Sequence, residues 1–237
     1  MFRGINRQTI FEDEEDKGQF LLTLARYKKK SGIELYAYCL MDNHVHLLVK
    51  ETDESISIFM KRLSSSYVYW YNMKYERCGH LFQERFNSEN VESDAYFLTV
   101  LRYIHQNPLK ANLVRSVWDS KWTSIHEYMS RVKLADIDRG LCLFSVDRKV
   151  ARRQFILFMQ EINEDRCLDI YEKIKLTDDE VRDYLRSIGV MSSSMLQQMD
   201  REERNAVLLK MKKLKGVSIR QISRVTGISK SVIDRLT

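Results

Sequence analysis

Two histidines separated by one residue are the first side chains in this sequence whose spacing suggests chemistry. His44 and His46 flank Val45 in a segment rich in apolar residues. On a β-strand, alternate side chains emerge from the same face of the sheet, so both imidazoles would lie on one face. With a third polar ligand they could bind a divalent metal, which stabilises charge on a phosphoryl oxygen. The pair is also compatible with two histidines on a solvated strand face.

A tyrosine near the end of a predicted helix is the second candidate. Tyr103 and Asn107 are four residues apart, so a helix would place them on one face and one turn from each other. A tyrosine hydroxyl, whose ordinary pKa is about 10, can attack a phosphodiester when a metal and basic neighbours favour the phenolate. Tyr103 could instead pack in the core, and Asn107 could simply end the helix.

The elements that must position these residues are helices and strands in alternation. Apolar residues at intervals of three and four predict helices over residues 13–30, 55–77 and 94–106. Alternating apolar residues predict strands over residues 33–40, 44–50 and 80–86, of which the first two form a hairpin. The third helix is expected to end before Pro108, the only proline, because the residue preceding a proline disfavours helical geometry.

The remaining sequence predicts helices alone. One helix is expected over residues 152–162, and three or four short helices over residues 176–237. We therefore divide the chain into an α+β part over residues 1–130, a helical linker over residues 131–175 and an all-helical part over residues 176–237.

The composition is typical of a soluble globular protein. The 237 residues are 44% hydrophobic and 30% charged, and no apolar run approaches the roughly 20 residues that span a bilayer. The first residues lack a secretory signal pattern, and the four cysteines contain no C-x-x-C spacing. We predict a cytoplasmic protein with reduced cysteines and no membrane partner.

Positive charge is concentrated at the carboxyl end. Residues 201–237 contain ten Lys or Arg against three Asp or Glu, whereas the preceding residues carry a net charge of −1. This segment suits a polyanion such as DNA, because each neutralised phosphate releases counterions. A solvated helix face would show the same composition.

The same end has the pattern of a helix-turn-helix, in which Gly227 supplies the turn and Ser229 caps the second helix. The second helix of this motif lies in the major groove of duplex DNA. The apolar residues expected to pack inward are Ile219, Ile222, Val225, Val232, Ile233 and Leu236. The residues expected to contact DNA are Arg220, Lys230, Ser231 and Arg235. A small helical bundle used for protein contact is the alternative.

Four segments, taken together and in order, resemble the HUH single-tyrosine transposases, and within them the REP-associated tyrosine transposases. The segments are Arg3-Gly4-Ile5-Asn6-Arg7, His44-Val45-His46, Gly79-His80-Leu81-Phe82-Gln83 and Tyr103-Ile104-His105-Gln106-Asn107-Pro108. The resemblance covers residues 1–130, and the combination is far more specific than any of its parts.

This resemblance implies an antiparallel sheet with packed helices, built like a ferredoxin or RNA-recognition fold, and cleavage of single-stranded DNA beside a hairpin. Tyr103 would attack the scissile phosphate and form a 5′-phosphotyrosine link as the 3′-hydroxyl leaves. Mg²⁺ or Mn²⁺ on His44, His46 and Asn107 would polarise a phosphate oxygen. No nucleotide cofactor is implied, because the covalent link conserves the energy of the phosphodiester. The protein would act at the nucleoid as a monomer or homodimer.

The sequence departs from the family in two ways. Relatives usually have residues before the position of Met1, so the first strand is expected to be short. Many relatives have a glutamine one helical turn after the tyrosine, where this chain has Asn107, with Gln106 and His105 beside it.

Other side chains near the predicted site have open roles. Arg62, Lys74, Arg77, Arg85 and Lys110 could bind phosphates or be surface charges. Trp118, Trp122 and Tyr128 could stack on bases, although packing in the core is expected.

Two other functions are compatible with the sequence. The protein could be a catalytically silent DNA-binding regulator that acts through its helix-turn-helix, or an RNA-processing enzyme, since the implied fold resembles RNA-binding modules. The presence of His44, His46 and Tyr103 together favours the DNA-cutting enzyme, because a purely binding protein has no chemical need for them.

Overall fold

The protein is described by a computed structural model that covers residues 1–83, 85–130, 132–163, 165, 167, 176–214 and 216–236. The chain divides into two compact units, Met1–Leu168 and Asp169–Thr237. Within the described residues, the first unit combines a three-stranded sheet with helices and the second contains helices alone. The predicted α+β class is therefore confirmed.

The sheet places the histidine strand at its centre. Its strands are β1 (Phe2–Arg3), β2 (Glu34–Met41) and β3 (His44–Lys50), in the order β1-β3-β2, and β3 is antiparallel to both neighbours. The predicted hairpin of β2 and β3 is confirmed, with Met41 opposite His44. On the other side of β3, Arg3 lies opposite His44.

Six α-helices are described in the first unit. They are α1 (Glu14–Ser31), α2 (Ile56–Lys74), α3 (Asp94–Lys110), α4 (Ile125–Met129), α5 (Ile137–Cys142) and α6 (Arg148–Gln160). α1 begins at a capping box between Asp13 and Asp16, and it ends at Gly32, whose φ of 72° suits glycine. The side chain of Ser93 caps α3 in the same manner as Asp13 caps α1.

Helices cover both faces of the sheet. Val45 and Leu47 of β3 pack with α1 and α2 in one buried cluster. Leu48 of β3 packs with α3 and α6 in another, which also contains Tyr128, whose hydroxyl donates to the carbonyl of Tyr36 at 2.8 Å. Tyr128 is therefore a core residue. Because His44 and His46 alternate with residues that face α1 and α2, their side chains lie on the α3 side.

The predicted strand over residues 80–86 is wrong. In its described residues, Phe82 forms an isolated bridge with Gly4, with hydrogen bonds from the Ile5 amide to the Leu81 carbonyl (3.0 Å) and from the Gln83 amide to the Arg3 carbonyl (2.9 Å). A longer ladder does not form, because the chain turns away from β1 into a 3₁₀ turn over Ile5–Arg7. The described residues of this segment are extended, but the only strand beside them, β1, is two residues long.

The predicted end of the third helix is also wrong. α3 continues through Pro108 to Lys110, and residues 103–108 are all buried. Proline removes one backbone donor, but the Ala111 and Leu113 amides still donate to the carbonyls of Asn107 and Pro108, each at 3.0 Å. Burial of the last turns therefore outweighs the local cost of the proline.

The sequence after residue 130 contributes to the first unit. Ile137 and Leu141 of α5 and Phe155 and Met159 of α6 are buried in the cluster that packs on β2 and α3. The first unit thus extends to Leu168, whereas the sequence predicted a separate linker over residues 131–175. Residues 168–175 of that linker lie outside the described residues.

The second unit has more helices than the three or four predicted. Its described residues form α7 (Asp178–Ser187), α8 (Ser193–Gln198), α9 (Arg201–Lys213), α10 (Ile219–Thr226) and α11 (Lys230–Asp234). Gly227, with a φ of 73°, ends α10 as expected, and Ser229 is at the N-cap of α11 but makes no capping hydrogen bond with its side chain. Val232 is 41% exposed, so its predicted inward packing is wrong, because Ile233 fills the core position.

The helices of both units are too short or too polar for a bilayer. Within the described residues, none has the length and apolar character needed to cross a membrane.

Candidate active site

The two histidines form a close pair on β3. Their ring centroids are 4.8 Å apart, and the rings are inclined at 83°. Val45 between them is fully buried on the other face, which fixes the side from which both imidazoles emerge. His46 is only 2% exposed, whereas His44 is partly exposed. The strand register therefore brings together the two predicted metal ligands.

Burial keeps both imidazoles neutral. It lowers the pKa of His44 to about 4, with a smaller lowering by the charge of Arg3 and an opposing contribution from a hydrogen bond to the Asn107 side chain. Burial also lowers the pKa of His46 well below its ordinary value, and the neighbouring His44 adds to the effect. Neutral imidazole is the form that binds metal ions.

Tyr103 lies against this pair. Its ring centroid is 5.6 Å from that of His46, at an interplanar angle of 81°, and the residue is 7% exposed. Lys110, two turns further along α3, places its Nζ 5.4 Å from the centroid of the tyrosine ring. Tyr103 thus belongs to the buried cluster formed with β2 and α6, which is the core position that its helical spacing also predicted. It borders the histidines as well.

Three neighbouring residues are candidates for the third ligand, and the structure separates them. The His105 Nε2 is 2.8 Å from the Ser124 hydroxyl, and its ring contacts Tyr128 and Phe155 in the core. Gln106 hydrogen-bonds the last turn of α6 and the residue that follows the helix. The Asn107 side chain lies close enough to His44 to raise the pKa of its imidazole. Of these three residues, Asn107 is therefore the one that borders the histidine pair.

The donor set suits a divalent metal. The Nδ1 atom of His46 is buried and has no hydrogen-bond partner among the described residues, which is costly for an imidazole nitrogen unless a ligand satisfies it. Among the described residues, no group of three or more His, Cys, Asp and Glu is gathered at one point. Asn107 offers an amide oxygen beside His44, and oxygen ligands of this kind suit Mg²⁺ and Mn²⁺.

The basic residues predicted to bind DNA differ in their partners. Arg62 pairs with Glu54, and Lys74 contacts Asp13, Glu15 and Asp16 at 2.7–2.9 Å. Lys110 binds the Asn163 side chain at 3.0 Å and the Asp165 carbonyl at 2.9 Å. Arg85 is exposed and makes no ion pair within the described residues.

The four residues predicted to contact DNA in the second unit share one property. Each is exposed, and they lie on α10, on α11 and immediately after α11: Arg220, Lys230, Ser231 and Arg235.

Two residues at the site received no individual role from the sequence. The Asn43 Oδ1 is 2.6 Å from the Nδ1 of His44, and Arg3 lies opposite His44 in the sheet. The Nε of Arg3 is buried and has no hydrogen-bond partner in the part of the chain that the structure describes. Arg3 is part of the first family segment, but its position beside His44 follows only from strand pairing.

Comparisons with known proteins give one family and one solved structure. Residues 1–107 match the family described as IS200-like transposase. A structure of the REP-associated tyrosine transposase bound to a REP hairpin is 19% identical, with 58% of this chain and 80% of that chain covered and a TM-score of 0.48. No curated protein matches the chain significantly. The family match includes every segment of the sequence resemblance up to Asn107, and this similarity supports a role in DNA processing.

Proposed function

We propose that the first unit is a metal-dependent DNA endonuclease and strand transferase that uses Tyr103 as its nucleophile. The observation that carries this proposal is the contact between the rings of Tyr103 and His46, whose centroids are 5.6 Å apart. His44 and Asn107 lie beside this contact. The family match over residues 1–107 supports the same class of reaction.

Each residue has a distinct part in this reaction. His44, His46 and Asn107 would hold Mg²⁺ or Mn²⁺, and the bound ion supplies positive charge at a phosphate oxygen. The Oη of Tyr103 forms a bond to the scissile phosphorus and loses its proton to solvent. The bond from phosphorus to O3′ breaks, and O3′ takes up a proton. Lys110 places positive charge beside the tyrosine ring.

The products are a 5′-phosphotyrosine and a free 3′-hydroxyl. Attack by another 3′-hydroxyl would reverse the bond changes and join two strands, without a nucleotide cofactor. Single-stranded DNA beside a hairpin is the substrate that the family resemblance implies. Duplex DNA would be bound by the second unit, and the protein would then act at the nucleoid.

A DNA-binding regulator is the second candidate function. The exposure of Arg220 on α10, of Lys230 on α11 and of Arg235 just after α11 favours it, because these residues could bind phosphates whether or not Tyr103 reacts. The two functions make opposite predictions for covalent chemistry.

The test is incubation with end-labelled single-stranded DNA hairpins and Mn²⁺, followed by a denaturing gel. We expect a covalent adduct that is absent with both Tyr103→Phe and His44→Ala. Tyr96→Phe is the matched control, since Tyr96 lies on the same helix but binds Glu89, and it should retain the adduct. If hairpins of varied sequence are bound without cleavage or adduct, the regulator is the correct function.

A further inference from the structure

A groove separate from the histidine face lies between α2 and the extended segment over residues 80–86. Its volume is about 870 Å³. From α2 it is lined by Ser57, Lys61 and Tyr69, and from the extended segment by His80, Phe82 and Arg85. The groove thus involves the third family segment, to which the proposed reaction assigns no part.

The charged side chains that line this groove are basic. None of the described residues in its lining is acidic. Lys61 and Arg85 are exposed, and neither makes an ion pair within the part of the chain that the structure describes. Arg62 and Lys74 of the same helix α2 are instead neutralised by carboxylates. The groove therefore offers two cations to phosphate groups.

Aromatic rings lie beside these cations. Tyr69 is 70% exposed, so most of its ring is open to solvent. Phe82 is partly exposed and is held by stacking on Phe2, with ring centroids 4.8 Å apart. Exposed aromatic faces next to cations are the features with which proteins bind unpaired bases and their phosphates.

The backbone connects the groove with the candidate active site. The Gln83 amide donates to the Arg3 carbonyl at 2.9 Å, and Arg3 lies opposite His44 in the sheet. β1 therefore has the groove on the side of Phe2 and the histidines on the side of Arg3. Because successive strand residues point to opposite faces of a sheet, the groove and the histidines lie on opposite faces and share β1 as a common element.

We propose that this groove binds a single-stranded stretch of the DNA substrate. Unpaired bases stack on Tyr69 and Phe82, and Lys61 and Arg85 bind the flanking phosphates. Bases within a duplex cannot offer their faces in this way, so the occupant is a single strand. This inference rests on the proposed function and adds the location of the substrate strand.

The test is binding of fluorescein-labelled oligothymidylate to the full chain, measured by fluorescence anisotropy at several salt concentrations. We expect the double variant Lys61→Ala, Arg85→Ala to bind about tenfold more weakly. The slope of the logarithm of the association constant against the logarithm of the salt concentration should decrease in magnitude by about 0.7 for each phosphate that the variant no longer neutralises. The matched control is Lys29→Ala, Lys30→Ala, which removes two exposed lysines at the end of α1 and should bind like the parent protein.

Tyrosine variants test the stacking part. Tyr69→Ala should weaken binding, whereas Tyr69→Phe, which keeps the ring, should not. If the charge variant and Tyr69→Ala both bind as tightly as the parent, with thermal unfolding unchanged, the inference is overturned. Tyr103→Phe separates the two proposals: it should bind the oligonucleotide normally while forming no adduct. An inactive parent whose groove variants lose binding would refute the proposed reaction and leave the groove assignment standing.

Discussion

At the scale of single residues, the orientation of His44 depends on Asn43. An amide oxygen can only accept a hydrogen bond, so the contact of 2.6 Å between Asn43 Oδ1 and His44 Nδ1 places the hydrogen on Nδ1. The lone pair of His44 is then on Nε2. Such partners commonly fix the tautomer and ring orientation of histidines that bind metals.

We therefore predict that Asn43→Ala lowers Mn²⁺-dependent cleavage by about 10–100-fold, the usual effect of removing the partner of a metal-binding histidine. Titration of the cleavage rate with Mn²⁺ measures it, and the reduction should appear as a higher Mn²⁺ requirement. Asn43→Asp, which keeps an accepting oxygen, is the control and should retain most of the activity. Equal activity of the alanine variant and the parent protein would contradict a role in positioning His44.

At the scale of elements, the last turns of α3 form hydrogen bonds and ion pairs with the end of α6 and the segment that follows it. Gln106 is buried, and its Nε2 donates to the carbonyls of Met159 (2.8 Å) and Glu161 (3.0 Å), while its Oε1 accepts from Asn163 at 2.7 Å. Arg102 of the same helix pairs with Glu161 and Asp165 at 2.5 and 2.8 Å. These contacts set the rotation of the helix face that carries Tyr103 and Asn107.

We predict that Gln106→Ala destabilises the first unit by about 1–3 kcal/mol, because it leaves buried polar groups without partners. Urea unfolding followed by circular dichroism measures the change. Thr99→Ala is the control, since it removes only an exposed side-chain hydrogen bond of the same helix, and it should change stability by no more than about 0.5 kcal/mol. Equal effects of the two substitutions would show that the contacts of Gln106 contribute nothing beyond an ordinary surface bond.

At the scale of the whole molecule, the two units differ in charge and in the chemistry that they display. The first unit contains the histidines and Tyr103, whereas residues 201–237 of the second unit carry most of the excess positive charge. If the second unit binds duplex DNA, the two activities should be separable by substitution.

We predict that the triple variant Arg220→Ala, Lys230→Ala, Arg235→Ala weakens duplex DNA binding, with the salt slope reduced by about 0.9 for each phosphate that is no longer neutralised. Its covalent adduct with a single-stranded substrate should be unchanged. Anisotropy and the denaturing gel measure the two properties. Arg182→Ala, Arg186→Ala is the control, because these arginines are already paired with Asp179 and Asp183. Disappearance of the adduct together with duplex binding would show that the activities are not separable.

Local sequence patterns predicted most of the first unit, and the errors have identifiable causes. The helices α1 and α2 and the hairpin of β2 and β3 have strong periodicity, so propensity and tertiary structure agree. Residues 80–86 have the composition of a strand, but a ladder needs a partner, and β1 is only two residues long. Pro108 by itself predicts a helix end, but burial of the surrounding residues extends α3.

The sequence by itself determined that His44 and His46 share a face and that Tyr103 and Asn107 lie one turn apart, because these relations depend only on the geometry of a strand and a helix. The family resemblance named Asn107 as the third ligand, but which of His105, Gln106 and Asn107 faces the histidines depends on how α3 packs. Successive helix residues point about 100° apart, so the packed rotation of α3 makes that choice. Likewise, ion pairs such as Lys74–Asp16 join residues far apart in the chain, so only the fold shows that Lys61 and Arg85 make no ion pair within the described residues.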